Sequence, residues 1–262
     1  MRAMWSAASG MNSLQKQIDT ISNNLANVNT VGFKSQRVEF KDLMYEKLQT
    51  DDFVRTDGKV TQLEIGNGVM TVATTRNFSN GSFKETQKDL DFAINGPGFF
   101  VINDQYGEAK YSRDGTFKIS IENGSSKLTT SSGYSIIGED GEIDLGENVT
   151  KVNVNELGEI TVERNDGTKE LVNKLKLVSF TNPIGLESVG KNLYTDNDVS
   201  GTAQENVSGS AGEVWQGYVE TSNVEVIEEM VNMISAQRAY ELNSKTIQTV
   251  DSMLNIANNI KR

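Results

Sequence analysis

Apolar residues recur every seven positions at both ends of this chain, and nothing else in it limits the fold as strongly. Near the C-terminus Val226, Met233, Tyr240, Ile247 and Leu254 form one column. Ala236, Val250 and Ala257 sit three residues beyond members of that column. Such a narrow a/d stripe suits a helical partner better than a globular core. The pattern predicts one amphipathic helix from Ser222 to Ile260, roughly 58 Å long at 1.5 Å per residue. Ser222 and Glu225 read as a capping box, and Glu225, Glu228 and Glu229 complement the positive end of the helix dipole. Lys261 and Arg262 place positive charge at the other end.

The N-terminus repeats the pattern. Met4, Met11, Ile18 and Leu25 are seven apart, and Ala7, Leu14, Ile21 and Val28 form a second column three residues on. These eight positions give an unbroken a/d stripe and predict a helix over residues 2–28, with Gly32 as its C-terminal cap. Two readings follow. The helices close on each other as an antiparallel pair within one molecule, or each stripe also meets neighbouring molecules.

Between the ends the grammar changes to short alternating runs broken by glycine. Residues 69–73 alternate, and Asn80-Gly81, Asp114-Gly115, Leu157-Gly158 and Asp166-Gly167 read as turn or hairpin signals. Gly96-Pro97-Gly98 is a further turn, and Thr50 to Gln62 reads as an exposed polar loop. The fold class is α+β: long N- and C-terminal helices pair as a coiled-coil-like stalk, with a central antiparallel β-rich domain, a small barrel or sandwich. The implied division is residues 1–35 with 220–262 as a helical polymerisation domain, 36–66 as a connecting segment, and 67–219 as a β-rich domain.

The 36 acidic residues against 25 basic ones, a net charge of −11, argue against nucleic acid and anionic lipid surfaces. No stretch is long and apolar enough to predict a membrane span, and the first ten residues do not read as a secretory signal. There is no histidine and no cysteine, which removes the Ser-His-Asp and thiol nucleophiles and the usual zinc sites. No dinucleotide or phosphate loop is present, so no cofactor, metal or catalytic residue is expected. Asp196, Asp198, Ser200 and Gly201 mimic half a calcium loop, but Val207 stands where a bidentate glutamate is needed. Glu139, Asp140, Glu142, Asp144 and Glu147 read as a solvated hairpin, or as carboxylates for glycoside hydrolysis. Trp5, Trp215, Phe99 and Phe100 read as packing or as sugar-stacking aromatics. Asn23, Asn24, Asn27 and Asn29 are odd on a helix; they form a solvated face or bond across packed helices.

Several stretches give the chain a family likeness. Residues 21–34, ISNNLANVNTVGFK, resemble the N-terminal signature of the flagellar rod and hook family of axial proteins. DFAINGPGFF at 91–100, YSRDGTF at 111–117 and LESVGKNLY at 186–194 resemble its central β motifs. QGYVETSNV at 216–224 and QRAYELNSK at 237–245 resemble the C-termini of its distal-rod branch. The resemblance covers nearly the whole chain and implies paired terminal helices in an inner tube with a β domain outside. It implies a homopolymer that carries torque as a hollow shaft, in the basal body outside the cytoplasmic membrane, in the periplasm or cell wall. Its implied partners are other rod proteins, the hook protein, surrounding bushing rings and the flagellar type III export apparatus. A proximal-rod or other paralogue is the nearest alternative. A secreted glycan-binding protein or carboxylate glycosidase is the alternative of another class. The assembly seam so predicted comprises Met4, Ala7, Met11, Leu14, Ile18, Ile21, Leu25, Val28, Val226, Met233, Tyr240, Ile247, Val250 and Leu254. In distal-rod members, the position of Thr50 to Gln62 carries a segment associated with rod straightness.

Overall fold

A computed structural model describes residues 2–48, 63–104, 106–122, 125–147, 149–205 and 212–260. The loop expected at 50–62, Lys261 and Arg262 lie outside the described residues, as does Val207. The chain divides into two compact units. One contains residues 1–25, 36–75 and 225–262; the other contains 26–35 and 76–224.

The first unit holds both helices. α1 spans Arg2–Ala26 and α2 spans Val226–Ile260. Both are shorter than their apolar patterns suggest. α1 stops before Val28, which lies in the turn that follows, where Thr30 N donates to Asn27 O at 3.1 Å. α2 starts four residues after Ser222. Ser222 is buried, and its hydroxyl accepts from Val224 N rather than from the helix. Residues 220–224 are held extended by bonds to residues 77–82, so the helix cannot begin there. The same unit contains a two-stranded sheet of Gln36–Asp42 with Val69–Arg76, and another of Tyr45–Leu48 with Leu63–Gly66.

Among the described residues of the second unit the regular structure is β, apart from one short turn of 3-10 helix at Pro183–Gly185. Its main sheet has ten strands. The path runs Glu187–Gly190, Leu193–Thr195, Ala109–Ser112, Phe99–Asn103, Ser135–Gly138, Ser125–Thr130 and Phe117–Glu122. Every pairing in it is antiparallel. A three-stranded meander, Val149–Val154, Glu159–Arg164 and Lys169–Lys174, turns at Leu157-Gly158 and Asp166-Gly167, as the turn signals predict. Two of the expected hairpins are absent. The strand after Asn80-Gly81, Phe83–Glu85, pairs with Tyr218–Glu220, far along the chain. The strands flanking Asp114-Gly115 pair with other neighbours and not with each other. Both glycines serve close approach instead. A Cβ on Gly81 would lie 2.0 Å from Thr221 O, and one on Gly115 would lie 1.8 Å from Phe92 O.

Adjacent residues feed two cores because a strand sends neighbours to opposite faces. Phe100 joins Phe92, Ile94, Phe117, Leu128, Ile136 and Ile160, while Phe99 joins Val101, Tyr111, Val178, Phe180 and Tyr194. Both phenylalanines are fully buried, so they pack the interior and offer no sugar-stacking face. Phe99 meets Phe180 edge-on at 5.6 Å, and Phe100 meets Phe117 at 5.1 Å. Each fully buried aromatic contributes on the order of 1.5–3 kcal/mol over its exposed state.

Candidate functional site

Two arrangements stand out, one in each unit. In the first, the helices approach each other at two recorded points. Asn24 Nδ2 donates to Glu229 Oε1 at 2.9 Å. Gly10 has the Asn243 amide so close that a Cβ there would lie 3.1 Å from Nδ2. The two points are fourteen residues apart on either helix, in opposite senses, so α1 and α2 run antiparallel. Extending that register sets Arg2 opposite Asp251. The residues from Ser252 to Ile260 run on past the start of α1, and all are exposed.

The residues of the apolar stripe are buried to different degrees. Ala7 and Ile21 are buried, and Met4, Met11, Leu14, Ile18 and Leu25 are half-buried. Val28 is half-buried too, but in the other unit and off the helix. On α2, Met233, Ile247 and Val250 are half-buried, while Val226, Tyr240 and Leu254 remain exposed. Polar residues outside the stripe do more than the pattern predicts. Asn24 is fully buried, and its amide also pairs with the backbone of Gln36: Nδ2 donates to Gln36 O at 2.8 Å, and Gln36 N donates to Oδ1 at 2.9 Å. Ser13 on α1 is buried as well. Asn24 is the one visible cue in the sequence, being a poor helix former inside a helix.

A second apolar stripe on α2 faces away from the first. Ile227, Met230, Val231 and Ile234 fall at i, i+3, i+4 and i+7, which is one helix face. Ile227 is 81% exposed and Ile234 55%. Trp5 on α1 is also largely exposed.

In the second unit a buried charge cluster joins residues far apart in sequence. Lys34, Arg113 and Glu220 have side chains only 1% exposed. Lys34 Nζ donates to Glu220 Oε1 at 2.6 Å and to Ser79 O at 2.8 Å. Gly81 N donates to the same carboxylate oxygen at 2.9 Å. Arg113 donates to Glu220 Oε2 at 3.4 Å, to Asn80 Oδ1 at 3.3 Å and to Gly96 O at 2.7 Å. Its guanidinium stacks 5.0 Å from the centre of the Phe99 ring. Burial pulls the Lys34 ammonium and the Arg113 guanidinium below their ordinary pKa values, and the Glu220 charge opposes that pull in both.

Neighbouring residues complete this junction. Asn223 Oδ1 accepts from Ser35 N at 2.8 Å, and its Nδ2 donates to Asn77 O at 2.8 Å. Gly32 N donates to Glu220 O at 2.9 Å, and a Cβ on Gly32 would lie 2.8 Å from the Arg113 backbone. Gly32 therefore serves close packing at a φ of +67° and does not cap α1. The Gly190–Leu193 turn reaches the same place, where Asn192 Nδ2 donates to Val31 O at 2.9 Å.

The acidic run at 139–147 does not converge on a reactive centre. Glu139 pairs with Lys174, Glu142 with Lys127, and Asp144 accepts from Ser125. The bond from Lys127 holds Glu142 below the usual carboxylate range, and the Ser125 hydroxyl does the same for Asp144. A glycosidase acid needs the opposite shift. Trp215 is half-buried against Phe83 and Tyr218, with ring centres 5.0 and 5.8 Å away.

Three family models match the chain. One described as flagella basal body rod protein covers residues 4–34, and one described as flagellar hook protein FlgE/F/G D1 domain covers 93–162. A third, described as flagellar basal body rod FlgEFG protein C-terminal, covers 216–260. The chain is 42% identical to a flagellar basal-body rod protein FlgG of Buchnera aphidicola over 258 residues, 96% of each chain. It is 41% identical to one of Borreliella burgdorferi over 100% of this chain and 99% of that one. A Bacillus subtilis relative of the same name is 33% identical over the full length of both. Among solved structures, a Helicobacter pylori flagellar hook protein FlgE2 matches at a TM-score of 0.24 and 15% identity, covering 62% of this chain and 47% of that one.

Proposed function

This chain belongs to the flagellar basal-body rod protein family and is a structural component of that rod, and we propose that its copies stack helically into a hollow shaft carrying torque from motor to hook. The apolar surface left open on α2 supports this reading most directly. Ile227, Met230, Val231 and Ile234 are exposed on one face, and the overhang past Asp251 has no facing turn on α1. Neighbouring copies would cover these surfaces. Residues 1–35 and 220–262 would then line the inner tube, with the β-rich domain outside it. The predicted seam from Met4 to Val28 and from Val226 to Leu254 would serve both the intramolecular pair and the contacts between copies.

Identity to proteins named FlgG supports assignment to the distal rod. In that place the chain would meet other rod proteins, the hook protein and the surrounding bushing rings. It would reach them through the flagellar type III export apparatus and lie outside the cytoplasmic membrane. Its relatives are named as rod proteins, and Glu139, Glu142 and Asp144 are paired with lysines or a hydroxyl, so the wall-active glycosidase reading is not favoured.

The test is Ile234→Asp. The side chain is exposed in the single molecule, so purified monomer should keep its stability within about 0.5 kcal/mol. Cells carrying the variant should lose rods in electron micrographs and stop spreading in soft agar. Gln248→Asp, on a polar position of the same helix, is the control and should leave motility intact. Normal swimming by the Ile234→Asp strain would remove the helical face from the assembly interface.

A further inference from the structure

The main path of the ten-stranded sheet ends in two edge strands, Phe117–Glu122 at one end and Glu187–Gly190 at the other, beside short branches that end at Gly141–Glu142 and Gln204–Glu205. Open edges carry unpaired backbone groups and are normally shielded, because they invite pairing with another chain. In the first edge the direction of the free groups follows from the hydrogen bonds. Phe117 N donates to Leu90 O, away from the neighbouring strand. On that neighbour, Leu128 N donates to Ile143 O and Ser126 O accepts from Leu145 N, again away from Phe117–Glu122. Leu128 and Ser126 stand opposite Ile119 and Ile121. Alternate residues of an antiparallel strand face alternate sides. Ile119 and Ile121 therefore turn their N–H and C=O groups outward, and among the described residues no backbone hydrogen bond reaches them there.

The side chains match this opening. Ile119 is 38% exposed and Ile121 74%, which is unusual for isoleucine on a strand edge. A groove of about 530 Å³ runs beside Ile119, lined by Lys88, Lys118 and Lys151 together with Asp89 and Asp91. The lining carries one more lysine than aspartate, so beside an exposed apolar edge it does not repel a second copy of a chain of net charge −11. The far edge offers the complement: Glu187–Gly190 is exposed along its length, with Glu187 and a Val189 that is 57% exposed.

We propose that the Phe117–Glu122 edge of one molecule pairs with the Glu187–Gly190 edge of the next, extending the sheet from copy to copy. Ile119 and Ile121 would cover Val189. Because the two edges differ, the contact is head-to-tail, and it grows as an open polymer wherever the rotation between copies does not close a ring. The proposal rests on the polymer reading and places a second contact between copies in the β-rich unit, apart from the helices.

The chain has no cysteine, so introduced thiols are unique. Full-length chains carrying Ile121→Cys, isotope-labelled, and Val189→Cys, unlabelled, are mixed at concentrations that sediment polymer and mildly oxidised. A disulfide needs Cα atoms within about 7 Å, so the mixed cross-link should exceed either self-link at least about tenfold. Amides of Ile119 and Ile121 in the native chain should also slow their hydrogen exchange on assembly. Ile121→Lys, at an exposed position, should remove that slowing without unfolding the unit. Sedimentation without the mixed link or the slowing overturns the edge contact and leaves the polymer reading intact. The mixed link without sedimentation overturns the extension from copy to copy and the polymer reading with it. Neither link nor sedimentation overturns both, and a predominant Ile121→Cys self-link overturns the head-to-tail pairing.

Discussion

The β-rich unit and the helical unit use their apolar residues in opposite ways. In the β-rich unit Phe92, Ile94, Phe99, Phe100, Ile136 and Ile160 are sealed from solvent, and even the charges of Lys34, Arg113 and Glu220 are buried in a bonded cluster. In the helices only Ala7, Ile21 and Ala236 are buried among the apolar residues, while larger ones such as Ile227, Met230 and Ile234 face outward. One unit has spent its hydrophobic surface on its own fold; the other holds much of it in reserve. Ordering a residue's backbone costs about 1–2 kcal/mol, so a sparsely buried helix draws much of its stability from whatever packs against it next.

The largest effect that would sharpen this contrast is expected at Glu220. Glu220→Ala leaves Lys34 and Arg113 buried without their counter-ion and removes the acceptor for Gly81 N. Loss of one partner of a buried pair costs about 3–5 kcal/mol. Urea unfolding followed by the fluorescence of Trp215, in a chain that also carries Trp5→Phe, should report that loss in the β-rich unit. A change below about 1 kcal/mol would mean that the cluster contributes little to that unit.

A smaller effect is expected in the helical unit. Asn24→Ala removes both bonds to Gln36 and the bond to Glu229. It should cost about 1–3 kcal/mol, the desolvation penalty of the groups left unpaired. Circular dichroism should show the helices melting earlier while the β-rich transition stays in place. A shift of both transitions together would break the contrast, since it would make the two units one cooperative body.

The smallest change is expected at Asp114. Burial raises its pKa, opposed by bonds from Thr116. A raised carboxylate pKa means that the folded state binds the proton first. The penalty is therefore full at neutral pH and shrinks as pH falls through the raised value towards 3.8. Asp114→Asn keeps an oxygen for Thr116 and loses the charge. It should stabilise the β-rich unit slightly at pH 7, and the advantage should fade on acidification. An advantage that grew as pH fell would reverse the sign of this assignment.

Much of the architecture was legible in the residues. The heptad columns located both helices to within a few residues, and Leu157-Gly158 and Asp166-Gly167 marked real turns of the meander. These signals are local: period, turn chemistry and charge act between neighbours in the chain, so they can be read one window at a time. The same grammar misplaced Asn80-Gly81 and Asp114-Gly115. A glycine that permits a turn and a glycine that permits a close backbone approach look alike until the approaching chain is known.

The sequence by itself determined the two helices and the β character of most of the middle, and it located the family's motifs, while the strands at Gln36–Asp42, Glu187–Gly190 and Leu193–Thr195 carried no such local signal. Only the tertiary structure decided what each segment meets. It paired Phe83–Glu85 with Tyr218–Glu220 and Phe92–Asn95 with Glu213–Gln216, across more than a hundred residues. It gathered Lys34, Arg113 and Glu220 at one point, delayed α2 beyond Ser222, and set Asn24 between Gln36 and Glu229. Such choices depend on which distant groups can satisfy one another's hydrogen bonds and charges once water is excluded. That matching is a property of the packed chain, because no single stretch contains both partners.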